Sequence, residues 1–213
     1  MEDSFIYKLP RKRTLKIEQD FEPMSPREWD NITRMIFVGG HSHYGDDHDV
    51  KLDGGYDSMH DFIERGAEDV KKQIKDVVSI QPVYLYSHSG VTISLTPFGC
   101  KWDSGCCGFV VVTKEDIRNW FGCKRVTQKD IDKAIGYIES EISTLNQYIT
   151  GDVYGFIIED EDENHEDSCW GFYGSDIKEN GIFDHLAQAD QDAITGKWEK
   201  KRKRPLGKRN INS

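Results

Sequence analysis

Apolar positions at three- and four-residue steps mark two long helices. Over 57–78, Met59, Phe62, Ile63, Val70, Ile74 and Val77 recur at that interval, interrupted by Gly66, and predict an amphipathic helix. Over 127–149, Ile131, Ala134, Ile135, Ile138, Ile142, Leu145 and Ile149 form one stripe, and Gly151 ends it. TKEDIRNWF (113–121) predicts a shorter helix with a threonine cap, closed at Gly122. Ser25-Pro26-Arg27-Glu28 places a serine at the cap, proline at the first helical position and glutamate at the capping-box position, which predicts a short helix through Trp29 and Ile32.

Strands read differently. PVYLYSHSG and VTISLTPFG are rich in aromatic and β-branched residues and meet at a Ser89-Gly90 turn. CGFVVVT (107–113) is uninterrupted, as a fully buried strand must be. DVYGFIIED and DSCWGFYG form a hairpin around the acidic loop EDENHED. Residues 1–24 alternate weakly around Ile6, Leu15 and Ile17 and read as an extended arm or edge strand. This order predicts an α+β fold: a mainly antiparallel sheet of about five strands with helices packed on one face. It is expected as a single domain over 25–190, followed by a basic, disordered tail over 191–213.

Charge sharpens this picture. The chain of 213 residues has a formal net charge of −10, but the charge is unevenly placed. Residues 1–196 carry 20 Lys and Arg against 37 Asp and Glu, whereas 197–213 carry 8 against 1. An acidic body argues against a nucleic-acid binder built from the whole fold and suits a basic protein partner, including one that normally holds nucleic acid. The tail reads as a contact for nucleic acid, a partner of the acidic body in cis, or a solvated segment that serves only solubility. Five cysteines, an odd number with no CxxC pair, predict free thiols in a cytoplasmic setting, and no apolar run is long enough to cross a bilayer.

Three stretches carry candidate chemistry. FVGGHSHYGDDHDV holds His41, Asp46 and His48, residue types that ligate zinc or manganese; the alternative is a polar loop whose side chains brace turns. It is similar to the HxHxDH loop of metallo-β-lactamase-fold hydrolases, but its spacing departs from that loop between His43 and Asp47. SHSG and KWDSG bracket a strand and its following loop, so His88, Ser89, Trp102, Asp103 and Ser104 are expected near one another. They read either as a Ser/His/Asp constellation or as a recognition surface, and no GxSxG elbow is present. Trp170 and Tyr173 of CWGFYG are the third candidate, a stacking platform for a nucleotide or else sheet core.

Several blocks together resemble a family of small bacteriophage and mobile-element proteins. They are PREWDN (26–31), GDDH (45–48), LYSHSGVTISLTPFGCKWDSGCCGFVVVTKEDIR (85–118), TGDVYGFIIED (150–160) and DSCWGFYG (167–174), and the resemblance spans about 25–175. It implies a cytoplasmic, phage-encoded accessory protein that interferes with host machinery such as a defence complex, and it supplies no catalytic residue. The leading expectation is a protein that acts by binding through its acidic body. The alternatives are a metal-dependent hydrolase of a nucleotide or phosphodiester, with His41, Asp46, His48 and His88 or Asp103 as ligands, and a protein that sequesters a nucleotide signal.

Overall fold

The computed structural model describes residues 5–100 and 102–202. Its class is α+β, with every strand pair antiparallel. Two four-stranded sheets replace the single sheet expected from the sequence. The chain divides accordingly into two compact units, residues 24–150 and residues 1–23 with 151–213.

In the contiguous unit, β3 (Arg34–Phe37), β4 (Val77–Ser87), β5 (Val91–Ser94) and β6 (Ser104–Thr113) pair in the order β3-β6-β4-β5, after β1 (Phe5–Lys8) and β2 (Thr14–Gln19) of the other unit. Helices cover both faces, where the sequence suggested one. On one face, α2 (Lys114–Phe121) and α3 (Gln128–Thr150) pack Ile117, Ala134, Ile138, Ile142 and Leu145 against Val110 and Val112. On the other, α1 (Met59–Gln73) sets Val70 and Phe62 against Phe109 and Val111. The run CGFVVVT therefore feeds alternate side chains to two cores, which explains why no polar residue interrupts it. Thr113 caps α2 through a full capping box with Asp116, and Gly122 ends that helix in the left-handed region at φ 63°.

The predicted helix at 25–32 contracts to one 3-10 turn over Pro26–Glu28, with the Ser25 hydroxyl accepting from the Arg27 N–H. Residues 77–78, assigned to the first long helix by periodicity, instead begin β4.

The second unit joins the two ends of the chain. β1 and β2 form a hairpin, β2 pairs with β7 (Val153–Glu159), and β7 pairs with β8 (His165–Tyr173). The expected arm is thus two strands, and β2 lies inside the sheet. Leu15 and Ile17 of β2 face the same core as Phe156, Ile158 and Phe172, and the short α4 (Ile182–His185) and α5 (Gln188–Arg202) close that core through Ile182 and Ile194. The tail expected to be disordered from 191 is helical to Arg202, and residues 203–213 lie outside the described residues. Arg13 holds this unit together: its guanidinium donates to Asp190, whose side chain is 1% exposed. Among the described residues, no helix is long and apolar enough to cross a membrane.

Candidate functional site

The histidine loop follows β3 as a 3-10 turn, Gly39–Tyr44, and then runs back along the free edge of that strand. The Asp46 N–H donates to the Met35 carbonyl at 2.9 Å, while Asp46 Oδ2 accepts from the Met35 N–H at 2.7 Å. His48 Nε2 donates to the Phe37 carbonyl at 2.9 Å. Gly45 is required for this approach, since a Cβ there would lie 2.6 Å from the Met35 oxygen. Gly-Asp-Asp-His is therefore an edge cover, satisfying backbone groups that an edge strand leaves open.

Asp46 has a second task. Arg27 Nε and Nη2 each reach one of its oxygens at 2.8 Å, and Arg27 Nη1 reaches Glu141 of α3 at 3.1 Å. Glu141 also accepts from the Ile32 N–H at 3.0 Å and from the Thr33 hydroxyl. Burial by itself would lower the Arg27 pKa, but hydrogen bonds and charge from Asp46, and then Glu141, outweigh it and raise the pKa above its ordinary value. The structure does not gather His41, Asp46 and His48 as ligands. Asp46 is occupied by Arg27, His41 stacks on Tyr44 with ring centroids 6.2 Å apart, and His48 Nδ1 is buried with no hydrogen-bond partner among the described residues. Among the described residues, no group of three or more His, Cys, Asp or Glu is placed to hold a metal ion.

The second cluster does assemble. β4 and β6 are in register from Tyr86 to Ser104, which brings the His88-Ser89-Gly90 turn beside the loop that enters β6. The Ser87 N–H donates to the Asp103 carbonyl at 2.7 Å, and His88 Nδ1 lies 3.4 Å from Asp103 Oδ2. Cys100 Sγ donates to the same carboxylate oxygen at 3.4 Å, a contact no residue pattern announces. The Ser104 hydroxyl donates to the Cys100 carbonyl and so braces the loop, while Ser89 stands exposed at the turn. Neither serine hydrogen-bonds His88 among the described residues, so the cluster lacks the nucleophile and base contact of a hydrolytic triad. The His88 ring stacks on Tyr86 with centroids 6.4 Å apart, and Tyr86 also contacts Phe98. Trp102 projects beyond them, 96% exposed. Such an arrangement can stack, accept and donate; it is built for contact.

Trp170 and Tyr173 lie on β8 of the other unit, with Tyr173 opposite Val153. A Cβ on Gly155 would come within 2.2 Å of the Trp170 ring, so the indole rests directly on the Gly155 backbone. One face of the indole is spent on the sheet, and the side chain remains 44% exposed.

The hairpin beside Trp170 carries charge the sequence had already displayed. Asp160 accepts from the N–H groups of Asp162 at 2.8 Å and Asn164 at 2.9 Å, and from the Asn164 side chain at 2.9 Å. These bonds, the Asn164 side chain's first, hold the Asp160 carboxyl below its ordinary pKa and fix the turn. Glu161, Asp162, Glu163, Glu166 and Asp167 are all exposed around it. Lys12 pairs with Glu161, and Arg13 Nη1 lies 3.6 Å from Glu166. Comparison with described protein families, with characterised proteins and with solved structures finds no match.

Proposed function

We propose that this protein acts by binding, as an accessory protein of the kind carried by phage and mobile elements. Its acidic surface docks on a basic face of a host protein, such as an enzyme or defence complex that handles nucleic acid. One observation carries the reading. Residues 151–196 hold thirteen carboxylates against a single lysine, Lys178, and the bonded turn of the β7–β8 hairpin with the start of β8 displays five of them. A fixed array of negative charge offers a basic groove what a phosphate backbone offers it, without the conformational cost of ordering a loose loop. Trp102 supplies a separate anchor of the residue type that dominates interface energetics, a large aromatic left 96% exposed.

The test is capture from bacterial lysate at low and high salt, with the wild type beside Asp162→Asn/Glu163→Gln/Asp167→Asn. The expected result is a basic protein retained at low salt, released by duplex DNA and lost from the triple variant. Retention by the variant, or no captured protein at either salt, overturns the reading.

A further inference from the structure

Charge is segregated across the sheet of the 24–150 unit. Residues 49–69, on the α1 side, hold seven carboxylates against Lys51 and Arg65. On the opposite side, the whole α2–α3 layer (114–150) balances six cations with six carboxylates, but 117–138 gathers five of those cations against Asp130 and Asp132. Those two acids are already engaged: Asp130 bonds the Thr127 hydroxyl at 2.7 Å, and Asp132 accepts from Gln128 at 2.9 Å. Lys124, Arg125, Lys129 and Lys133 are all exposed, and among the described residues none of them is in an ion pair.

Aromatic rings lie among these cations. Trp120, at the end of α2, meets Tyr137 of α3 edge-on with centroids 5.7 Å apart, and both are more than a third exposed. Lys133 Nζ stands 5.8 Å above the Phe121 ring, which itself contacts Tyr137. The helical spacing of Lys129, Lys133 and Tyr137 places two cations and an aromatic in one row.

We infer that this α2–α3 surface binds single-stranded nucleic acid, the four cations contacting phosphates while Trp120 and Tyr137 stack on bases. Cations alone would suit any polyanion. Exposed aromatic faces at the same place favour a strand whose bases are unpaired and free to stack, over a duplex or an acidic peptide. The net negative charge of the chain does not forbid it, because exposed charges more than about 8 Å away are largely screened at physiological ionic strength. This surface is separate from the acidic hairpin of the proposed function and shares no residue with it.

Fluorescence anisotropy of the full chain with labelled 12-nucleotide oligo(dT) and its RNA counterpart tests it. Four phosphate contacts predict affinity about 50-fold weaker at 200 mM than at 50 mM salt, from a single-strand slope near −0.7 per contact. Lys124→Glu/Lys129→Glu/Lys133→Glu should weaken binding at least about tenfold and flatten that slope. Trp120→Leu should weaken binding about tenfold with the slope preserved, since it removes stacking and no charge. Binding unchanged in the lysine variant would assign it to the basic tail and overturn the inference, as would no binding at 50 mM salt. Displacement by polyglutamate as effective as by unlabelled oligo would also overturn it, in favour of an acidic protein segment. The hairpin variants of the preceding section leave all these residues intact, so the two readings fail independently.

Discussion

The two sheets bury their strands in different ways, and the sequence records the difference. In the 24–150 unit, β6 sends Val110 and Val112 to one helical layer and Phe109 and Val111 to the other, so the strand is apolar throughout. In the unit built from the chain ends, Leu15 and Ile17 alternate with Thr14, Lys16 and Glu18, because helices cover one face only. Each unit then uses a partly buried arginine, its side chain 7% exposed at Arg27 and 19% at Arg13, to fix a segment lacking helical order. Arg27 clamps two carboxylates, and Arg13 mainly one. A strand sandwiched between layers and a strand with one dry face thus need the same kind of polar tie, at different stakes.

Breaking the ties should show those stakes. Arg27→Ala leaves Asp46 and Glu141 without their cation and should cost about 3–5 kcal/mol, read by urea unfolding. Arg13→Ala should fall at the lower end of about 3–5 kcal/mol, since it strands Asp190 alone. Equal losses from both would contradict the contrast. Local opening can be followed at Cys107, whose thiol burial first and Cys106 second push up to about 12. At pH 8 it should resist alkylation in the wild type and become reactive in Arg27→Ala while staying protected in Arg13→Ala.

Two glycines sharpen the comparison at smaller cost. A Cβ on Gly108, at φ 150°, would lie 2.1 Å from the Ile36 carbonyl oxygen, whereas on Gly155 it would meet the Trp170 ring at 2.2 Å. Each alanine substitution should cost about 1–3 kcal/mol. Adding Trp170→Ala should recover only part of the loss at Gly155, because the ring is movable but the Cys169 carbonyl, 2.9 Å from the same Cβ, is not. No side-chain change should rescue Gly108→Ala, where the obstacle is backbone. A thermal-melt double-mutant cycle reads both.

Acid is the mildest probe. Asp69 is held below its ordinary pKa first by its hydrogen bond from Lys72, and Asp130 first by the Thr127 hydroxyl. A depressed carboxyl contributes stability above its unfolded pKa, about 4, and loses it as pH falls through the folded value. Asp69 and Asp130 belong to the 24–150 unit and Asp160, likewise depressed, to the other, so both units should lose melting temperature below about pH 4, and Asp69→Asn should blunt the decline of the 24–150 unit alone.

Much of this was legible in the chain. The stripe from Ile131 to Ile149 fixes α3 because a helix period needs no distant partner, and Thr113 with Asp116 announces the start of α2. β2 was hidden, since its neighbour β7 lies far along the chain and the charged PRKR beside it suggested solvent. Residue type leaves Asp46 open between a metal ligand and a brace for the loop, because it cannot distinguish a carboxylate facing a metal from one facing arginine. A signal did exist: Glu141 sits between Ile138 and Ile142 near the buried side of α3, and an acid there demands a cation. With Arg27 as that cation, PREWDN and GDDH become two halves of one device, the tie and the edge it covers. His88 and Asp103 were correctly expected together because both flank strands that pair in register.

The boundary between the units leaves from adjacent strands. Gln19, the last residue of β2, pairs opposite Tyr154 of β7, and its side chain donates to the Gly151 carbonyl at 2.7 Å. Topologically, residues 24–150 are a parenthesis opened and closed at one point of the surrounding sheet. Where the chain departs for a whole second unit, a tight turn would close β2 and β7 into an ordinary hairpin. The outer sheet takes its order β1-β2-β7-β8 from strands at the two ends of the chain, so the parenthesis contributes no strand to it.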